Sequence, residues 1–152
     1  YNYRMVDVLC ALRLAQLPRL DGWTAARRRI AALYDRALAG LAEAVPLKTH
    51  AGRTHAYHLY VVRLADHIDR DRVFARLRAE GIGANVHYGP VHLHSFYRNL
   101  GYGPGAAPVA EAASKRILTL PLFPAMTGAD VERVVAALKA SIGGMARGPC
   151  SP

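Results

Sequence analysis

The segment from Asn85 to Arg98, NVHYGPVHLHSFYR, gathers His87, His92, His94, Tyr88 and Tyr97 around a Gly89-Pro90 break. Imidazoles and phenols donate, accept and stack, and imidazole titrates near neutral pH. Gly-Pro forbids regular structure at its centre, so these groups are expected on a loop between a strand and a helix. Loops held by a rigid scaffold are where binding groups concentrate. Three kinds of chemistry are open to the imidazoles. They could ligate a metal, but no Asp, Glu or Cys within the segment completes a site or orients a ring, so no metal is assigned. They could hydrogen-bond a polar or phosphorylated ligand, which is the preferred reading. One or two of them could instead cap backbone groups of the loop itself.

Nucleophilic catalysis finds less support. Ser95 has histidines beside it but no strand–turn–helix elbow. Ser114 and Ser141 fall in helical stretches, and Cys10 and Cys150 have no neighbouring base. The GYGPG stretch (Gly101 to Gly105) carries a proline and follows no strand, so it does not read as a phosphate cradle. The residues describe a ligand-contacting loop without a catalytic centre, and no catalytic residue is assigned.

The elements that position this loop follow from periodicity. Val8, Leu9, Leu12, Ala15 and Leu17 recur at helical spacing from Val6 onward, and Pro18 marks a bend. A longer helix is expected from Asp21 or Thr24 to Ala44. Ile30, Leu33, Ala37, Leu38 and Leu41 form its apolar stripe, and Arg27, Arg28, Asp35 and Arg36 its wet face. Two helices so exposed on one side need a further domain or subunit to pack against. Tyr57 to Leu64 reads as a strand and Lys48 to Thr54 as a polar loop before it. Asp69 caps a helix that Gly81 ends. Ile82 to His87 reads as a second strand running into the histidine loop. Val109 to Ile117 reads as a helix, and Leu118 to Leu120 as a third strand. A last helix begins at a Thr127/Asp130 capping pair, with Val131, Val134, Val135, Leu138 and Ile142 on its apolar face. The tail beyond Gly143 is expected to be disordered. This order gives an α/β layer with a three-stranded sheet.

Composition bounds the function classes. The chain has 152 residues, enough for one domain with a single core. No apolar run reaches a membrane span and no signal-peptide layout opens the chain, so a cytoplasmic protein is expected. Two distant cysteines exclude a disulfide framework. The net charge is +9, and all but three of the 20 basic residues are arginines. Their spread along helical faces reads as a solvated surface. It leaves open attraction to an anionic partner such as a nucleotide or phosphate group, and no nucleic-acid recognition motif accompanies the charge. The chain opens on Tyr1 rather than Met, which suggests a piece of something longer.

Four separated stretches together are specific: NYRMVD (Asn2 to Asp7), YHLYVVRL (Tyr57 to Leu64), RAEGIGANVHYGPVHLHSFYR (Arg78 to Arg98) and LTLPLFPAMTGADVERVV (Leu118 to Val135). Their order and spacing resemble the C-terminal portion of the DegT/DnrJ/EryC1/StrS family of nucleotide-sugar aminotransferases. These are pyridoxal-phosphate enzymes of the aspartate-aminotransferase fold (fold type I). The VHYGPVHLH stretch resembles the branch that aminates UDP-linked 4-keto-6-deoxy sugars, as in pseudaminic acid biosynthesis.

The resemblance implies the C-terminal small domain of that fold, with long helices beside a three-stranded sheet. It implies interdomain and dimer helices over residues 1–45, the small domain over 46–142 and a tail over 143–152. It further implies a homodimer, a nucleotide-sugar acceptor and an amino-acid donor, usually glutamate. The family's Schiff-base lysine, and the acidic residue on its pyridine nitrogen, lie in the large domain. Lys48, Lys115 and Lys139 lack the surroundings of that lysine, so this chain is expected to be inactive alone. Asn2 would reach the cofactor phosphate of the neighbouring subunit, with Arg4 near it as an anion or substrate contact. His87 and Tyr88, with His92 and His94, would line the sugar-nucleotide side of the cleft. The alternatives are a non-catalytic truncated remnant and a basic nucleic-acid-binding module.

Overall fold

The computed structural model describes residues 3–144. The expected disorder after Gly143 and the assignment of Asn2 therefore fall, apart from Gly144, outside the described residues. Among the described residues the chain runs α1 (Asp7–Gln16), α2 (Leu20–Ala37), β1 (Ala44–Pro46), β2 (Tyr60–Leu64), α3 (Arg70–Ala79), α4 (Ser95–Asn99), α5 (Pro108–Ser114), β3 (Ile117–Leu120) and α6 (Gly128–Gly143). Short 3₁₀ turns join α1 to α2 (Leu17–Arg19) and lead into α4 (Val91–Leu93).

The sheet is antiparallel throughout, in the order β1-β2-β3. Three strands were expected and three are found, but only two of them coincide. Ile82 to His87 does not form a strand. It touches β3 through a single bridge, with Asn85 and Thr119 exchanging amide-to-carbonyl bonds of 3.0 and 2.8 Å. The Gly81-Ile82-Gly83 run turns before pairing can start, because Gly81 sits at φ +72 and the Ala84 amide bonds back to the Ile82 carbonyl at 2.8 Å. The third strand comes instead from Ala44–Pro46, which the sequence reading placed at the end of α2. Gly40 at φ +78 stops the helical path, and the Ala44 amide closes onto the Leu41 carbonyl. Pro46 lacks an amide proton, and β1 is an edge strand where that omission costs little.

The strand expected from Tyr57 begins at Tyr60, because Tyr57 sits at φ +49. The helix expected over Val109 to Ile117 is Pro108–Ser114, with Ile117 opening β3. The expected caps hold. Asp69 accepts from the Asp71 and Arg72 amides at 3.0 and 3.1 Å, capping α3. At its far end Ile82 N bonds Leu77 O and Gly81 N bonds Arg78 O, the paired closure that a left-handed glycine permits. Thr127 and Asp130 cap α6 reciprocally, with Thr127 N donating to Asp130 Oδ2 at 2.7 Å. That contact, then the Thr127 hydroxyl, holds the Asp130 carboxyl below the usual carboxylate range.

Strand alternation sends Tyr60, Val62, Leu64, Leu118 and Leu120 to one face, where they meet Ile30, Tyr34, Val73, Leu77, Val131 and Leu138 from α2, α3 and α6. Tyr34 and Tyr60 stack at 4.7 Å between ring centres. Tyr34 Oη donates to the Pro121 carbonyl at 2.8 Å and Tyr60 Oη to Asp35 at 2.6 Å. Burial above all pushes both phenols up, so they are protonated core anchors. The outer face carries Val61, Arg63 and Thr119. By contrast, α1 buries no residue: Val8 is 78% exposed and Leu14 70%.

Candidate binding site

The histidine loop is held at three points. At its start the Asn85–Thr119 bridge ties it to the free edge of β3. Two residues on, His87 Nδ1 meets Thr119 Oγ1 at 3.1 Å, so the imidazole lies over the outer sheet face rather than in the core. The His87–Tyr88 peptide is cis. The two rings stand edge to face at 4.7 Å, and Tyr88 is 69% exposed. At its centre the chain folds back across Gly89-Pro90, bringing His94 Nε2 to 3.9 Å from where a Cβ on Gly89 would stand.

The third point is His92. Its Nε2 lies 2.8 Å from Glu111 Oε1, in the first turn of α5. The same carboxylate accepts from the Gly105 amide at 2.9 and 3.1 Å and from Ala107 at 3.3 Å. The His92 bond lowers the Glu111 pKa most; partial burial opposes it, and the Ala107 and Gly105 amides add to it. No acid lies within the histidine segment, as the sequence reading noted, but one arrives from 19 residues downstream. His92 was expected to line the ligand cleft. Its Nε2 instead fastens the loop to the Gly101–Ala107 turn, so it positions the loop. The sequence signal that could have found this is that Glu111 is the only acid between Glu80 and Asp130.

The remaining predicted residues divide. His87, Tyr88 and His94 come together on one loop, with Tyr88 and His94 open to solvent. Arg4 lies on the exposed extended segment before α1. Among the described residues no group of three or more His, Cys, Asp or Glu is arranged to hold a metal.

Sequence reasoning missed a second group. A hollow of about 410 Å³ beside β2 is lined by Lys48, Thr49, His55, Tyr57 and His58 over a floor that includes Val61. Val61, opposite Thr119 in register, puts one side of the hollow on the outer sheet face, while Tyr57 and Tyr60 on its other side pack toward the core. Arg27 and Arg28, assigned from sequence to a wet face, reach this region. Arg27 Nη1 donates to the Tyr57 and Leu122 carbonyls at 3.1 Å each, and Arg28 Nε to His55 O at 3.0 Å. Arg29, Arg76, Arg116 and Arg133 likewise donate to carbonyls of other elements. Much of the arginine excess thus joins elements together.

The described residues do not by themselves build a cradle for pyridoxal phosphate. That needs a lysine for the imine, an acid for the pyridine nitrogen and donors for the phosphate. Lys48 lines a hollow with no acid. Lys115 lies on the surface beside the Arg70–Asp71 and Arg116–Asp66 ion pairs and Asp69, with no apolar slot for a pyridine ring among the described residues there. Lys139 is exposed on α6. What the loop and hollow offer is a wall of hydrogen-bonding and aromatic groups.

Fold and site thus define an α/β domain with hydrogen-bonding and aromatic side chains gathered on a loop at the free edge of its sheet. The chain belongs to the DegT/DnrJ/EryC1/StrS aminotransferase family, whose model matches residues 1–139. Among solved structures it is similar to a Streptococcus pneumoniae chain described as a sugar aminotransferase, in its apo form. The identity is 30% and the TM-score 0.83, over 94% of this chain and 36% of that one. That streptococcal protein is also solved in PLP and PMP forms. The aminotransferase TlmJ from Streptoalloteichus hindustanus is 33% identical with a TM-score of 0.76, over 86% of this chain and 35% of its own. Helicobacter pylori PseC, an aminotransferase of pseudoaminic acid biosynthesis, shares the fold at a TM-score of 0.84 and 22% identity, over 95% of this chain and 39% of its own. The chain spans little more than a third of the length of these structures.

Proposed function

We propose that this chain is the C-terminal part of a pyridoxal-phosphate-dependent aminotransferase that moves an amino group, usually from glutamate, to a nucleotide-linked 4-keto-6-deoxy sugar. The observation that carries this reading is the family match over residues 1–139. The NVHYGPVHLH stretch favours UDP-linked substrates of the pseudaminic acid type within it. The protein works in the cytoplasm; no helix among the described residues is long and apolar enough to cross a membrane.

In this reading residues 1–45 contribute interdomain and dimer helices and residues 46–142 the small domain, followed by a tail over 143–152. The apolar side chains that α1 leaves exposed support a covering large domain or second subunit. Asn2 reaches the cofactor phosphate of the neighbouring subunit in a homodimer, and Arg4 lies near it as an anion contact. His87, Tyr88 and His94 line the sugar-nucleotide side of the cleft, and His92 keeps that wall in place through Glu111. The cofactor, when bound, supplies the electron sink for amino transfer. This chain's residues bind and orient the acceptor, and the chain alone does not catalyse the reaction.

The test is to express the chain with any residues its gene encodes upstream of Tyr1. That protein should bind pyridoxal phosphate and convert glutamate to 2-oxoglutarate beyond one equivalent per cofactor only when a 4-keto nucleotide sugar is supplied. His87→Ala should raise KM for the sugar nucleotide about tenfold with a smaller effect on kcat. A protein that binds no cofactor would sink the reading.

A further inference from the structure

The geometry points to a second binding element: the hollow beside β2 is a subsite for an oxyanion, a phosphoryl or carboxylate group, carried on an apolar body. Its polar members are Lys48, Thr49, His55, Tyr57, His58 and Tyr60, whose hydroxyl is already given to Asp35, and no carboxylate lines it. Leu59 and Val61 give it an apolar floor. A donor-rich rim carrying the Lys48 ammonium over apolar ground suits a ligand with one anionic end. The identity of the ligand rests on the function proposed above, where the anion is the phosphate of a sugar nucleotide or the carboxylate of the amino donor.

The wall is preorganised. Tyr57 is the non-glycine residue at positive φ, +49, among the described residues, a conformation costly for an aromatic side chain. Contacts from outside the turn impose it. Arg27 holds the Tyr57 carbonyl and, at 3.4 Å, that of His58, while Arg28 holds the His55 carbonyl. Within the turn Tyr57 N donates to His55 Nδ1 at 2.8 Å. A backbone amide can only donate, so His55 Nδ1 accepts and the neutral ring carries its proton on Nε2. The His55 ring also leans on Tyr57 at 4.4 Å. Its donor nitrogen is therefore fixed in identity and the ring fixed in place. Lys48 and Thr49 approach from the segment that continues β1, aligned by the Leu47 N to Val61 O bond of 3.2 Å. Strain held in place by neighbouring contacts is characteristic of functional turns.

The experiment follows histidine ring resonances of the chain by NMR during titration with UDP, inorganic phosphate and glutamate. The His55 and His58 rings should shift saturably. Lys48→Met should weaken that binding about tenfold, with its melting temperature unchanged. His58→Gln serves as a second variant and should weaken it too. Competition between UDP and phosphate, with glutamate inert, identifies a phosphoryl subsite; response to glutamate alone identifies a carboxylate subsite. No shift at His55 and His58 with any of the three, or unchanged affinity in both variants, overturns the proposal. A UDP response confined to His87 and His94 also overturns it while leaving the proposed function standing. Failure of the whole protein to bind pyridoxal phosphate would instead remove the proposed function.

Discussion

Replacing Arg27 by Ala tests how much of this fold depends on arginine reaching across elements. One guanidinium nitrogen of α2 serves carbonyls at 3.1 Å (Tyr57), 3.1 Å (Leu122) and 3.4 Å (His58), so it ties α2 to the turn before β2 and to the segment after β3. A nitrogen with two protons satisfies about two acceptors fully, and charged hydrogen bonds contribute about 1.5–3 kcal/mol each. That sets a gross loss of about 3–6 kcal/mol. Two reductions apply. Both close carbonyls are only partly buried, so water recovers roughly half of the loss. Tyr57, released from φ +49, also relaxes by about 1 kcal/mol. The net expectation is about 0.5–2 kcal/mol, read as a lower urea midpoint at unchanged slope. For a chain of this size each kcal/mol lowers Tm by roughly 2–4 °C. Arg27→Lys should recover less than half, because an ammonium lacks the spread of the guanidinium fork. Arg36→Ala, on the exposed side of the same helix, should stay within about 0.5 kcal/mol of the parent. If Arg27→Ala unfolds at the same midpoint as Arg36→Ala, the argument is wrong, and these arginines are ordinary surface charge.

Two further outcomes follow from the same structure. Glu111→Gln should speed hydrogen exchange at the Gly105 and Ala107 amides severalfold while leaving those of α6 unchanged. Because Glu111 is depressed in the folded protein, its contribution is complete above the usual carboxylate range and is lost as pH falls through the lower folded value. The same amides should therefore loosen on acidification, and insensitivity to pH there would contradict the assignment. Ser141 is 2% exposed, and its hydroxyl has no hydrogen-bond partner among the described residues. Ser141→Ala should be neutral or stabilise by up to about 1 kcal/mol, and a loss of more than that in urea unfolding would reveal a partner.

The candidate site was only partly legible in advance. The loop could be found because Gly-Pro flanked by imidazoles is a local signal, and the position of His87 beside an expected strand end followed from it. What His92 does could not be found locally. Its partner is on another helix, and only the fold of Gly101–Ala107 brings the two together. The hollow of Lys48, His55 and His58 left less trace still. Those residues looked like a polar connection and the start of a strand, and nothing in their spacing indicates that Tyr57 turns left-handed.

By itself the sequence determined the helices α1, α3 and α6, the caps at Asp69 and Thr127, the existence of β2, and the family. Each depends on periodicity, on contacts within four residues, or on motifs read in order. Only the tertiary structure decided which segments fill the sheet, which arginines leave solvent for distant carbonyls, and which histidines remain available to a ligand. Ala44–Pro46 pairs along the edge of β2, whereas Ile82–His87 meets the opposite edge, at β3, through a single bridge. The glycine turns at Gly40 and Gly81 and the two edges that β2 and β3 leave open decide this, and no short window of sequence contains those constraints.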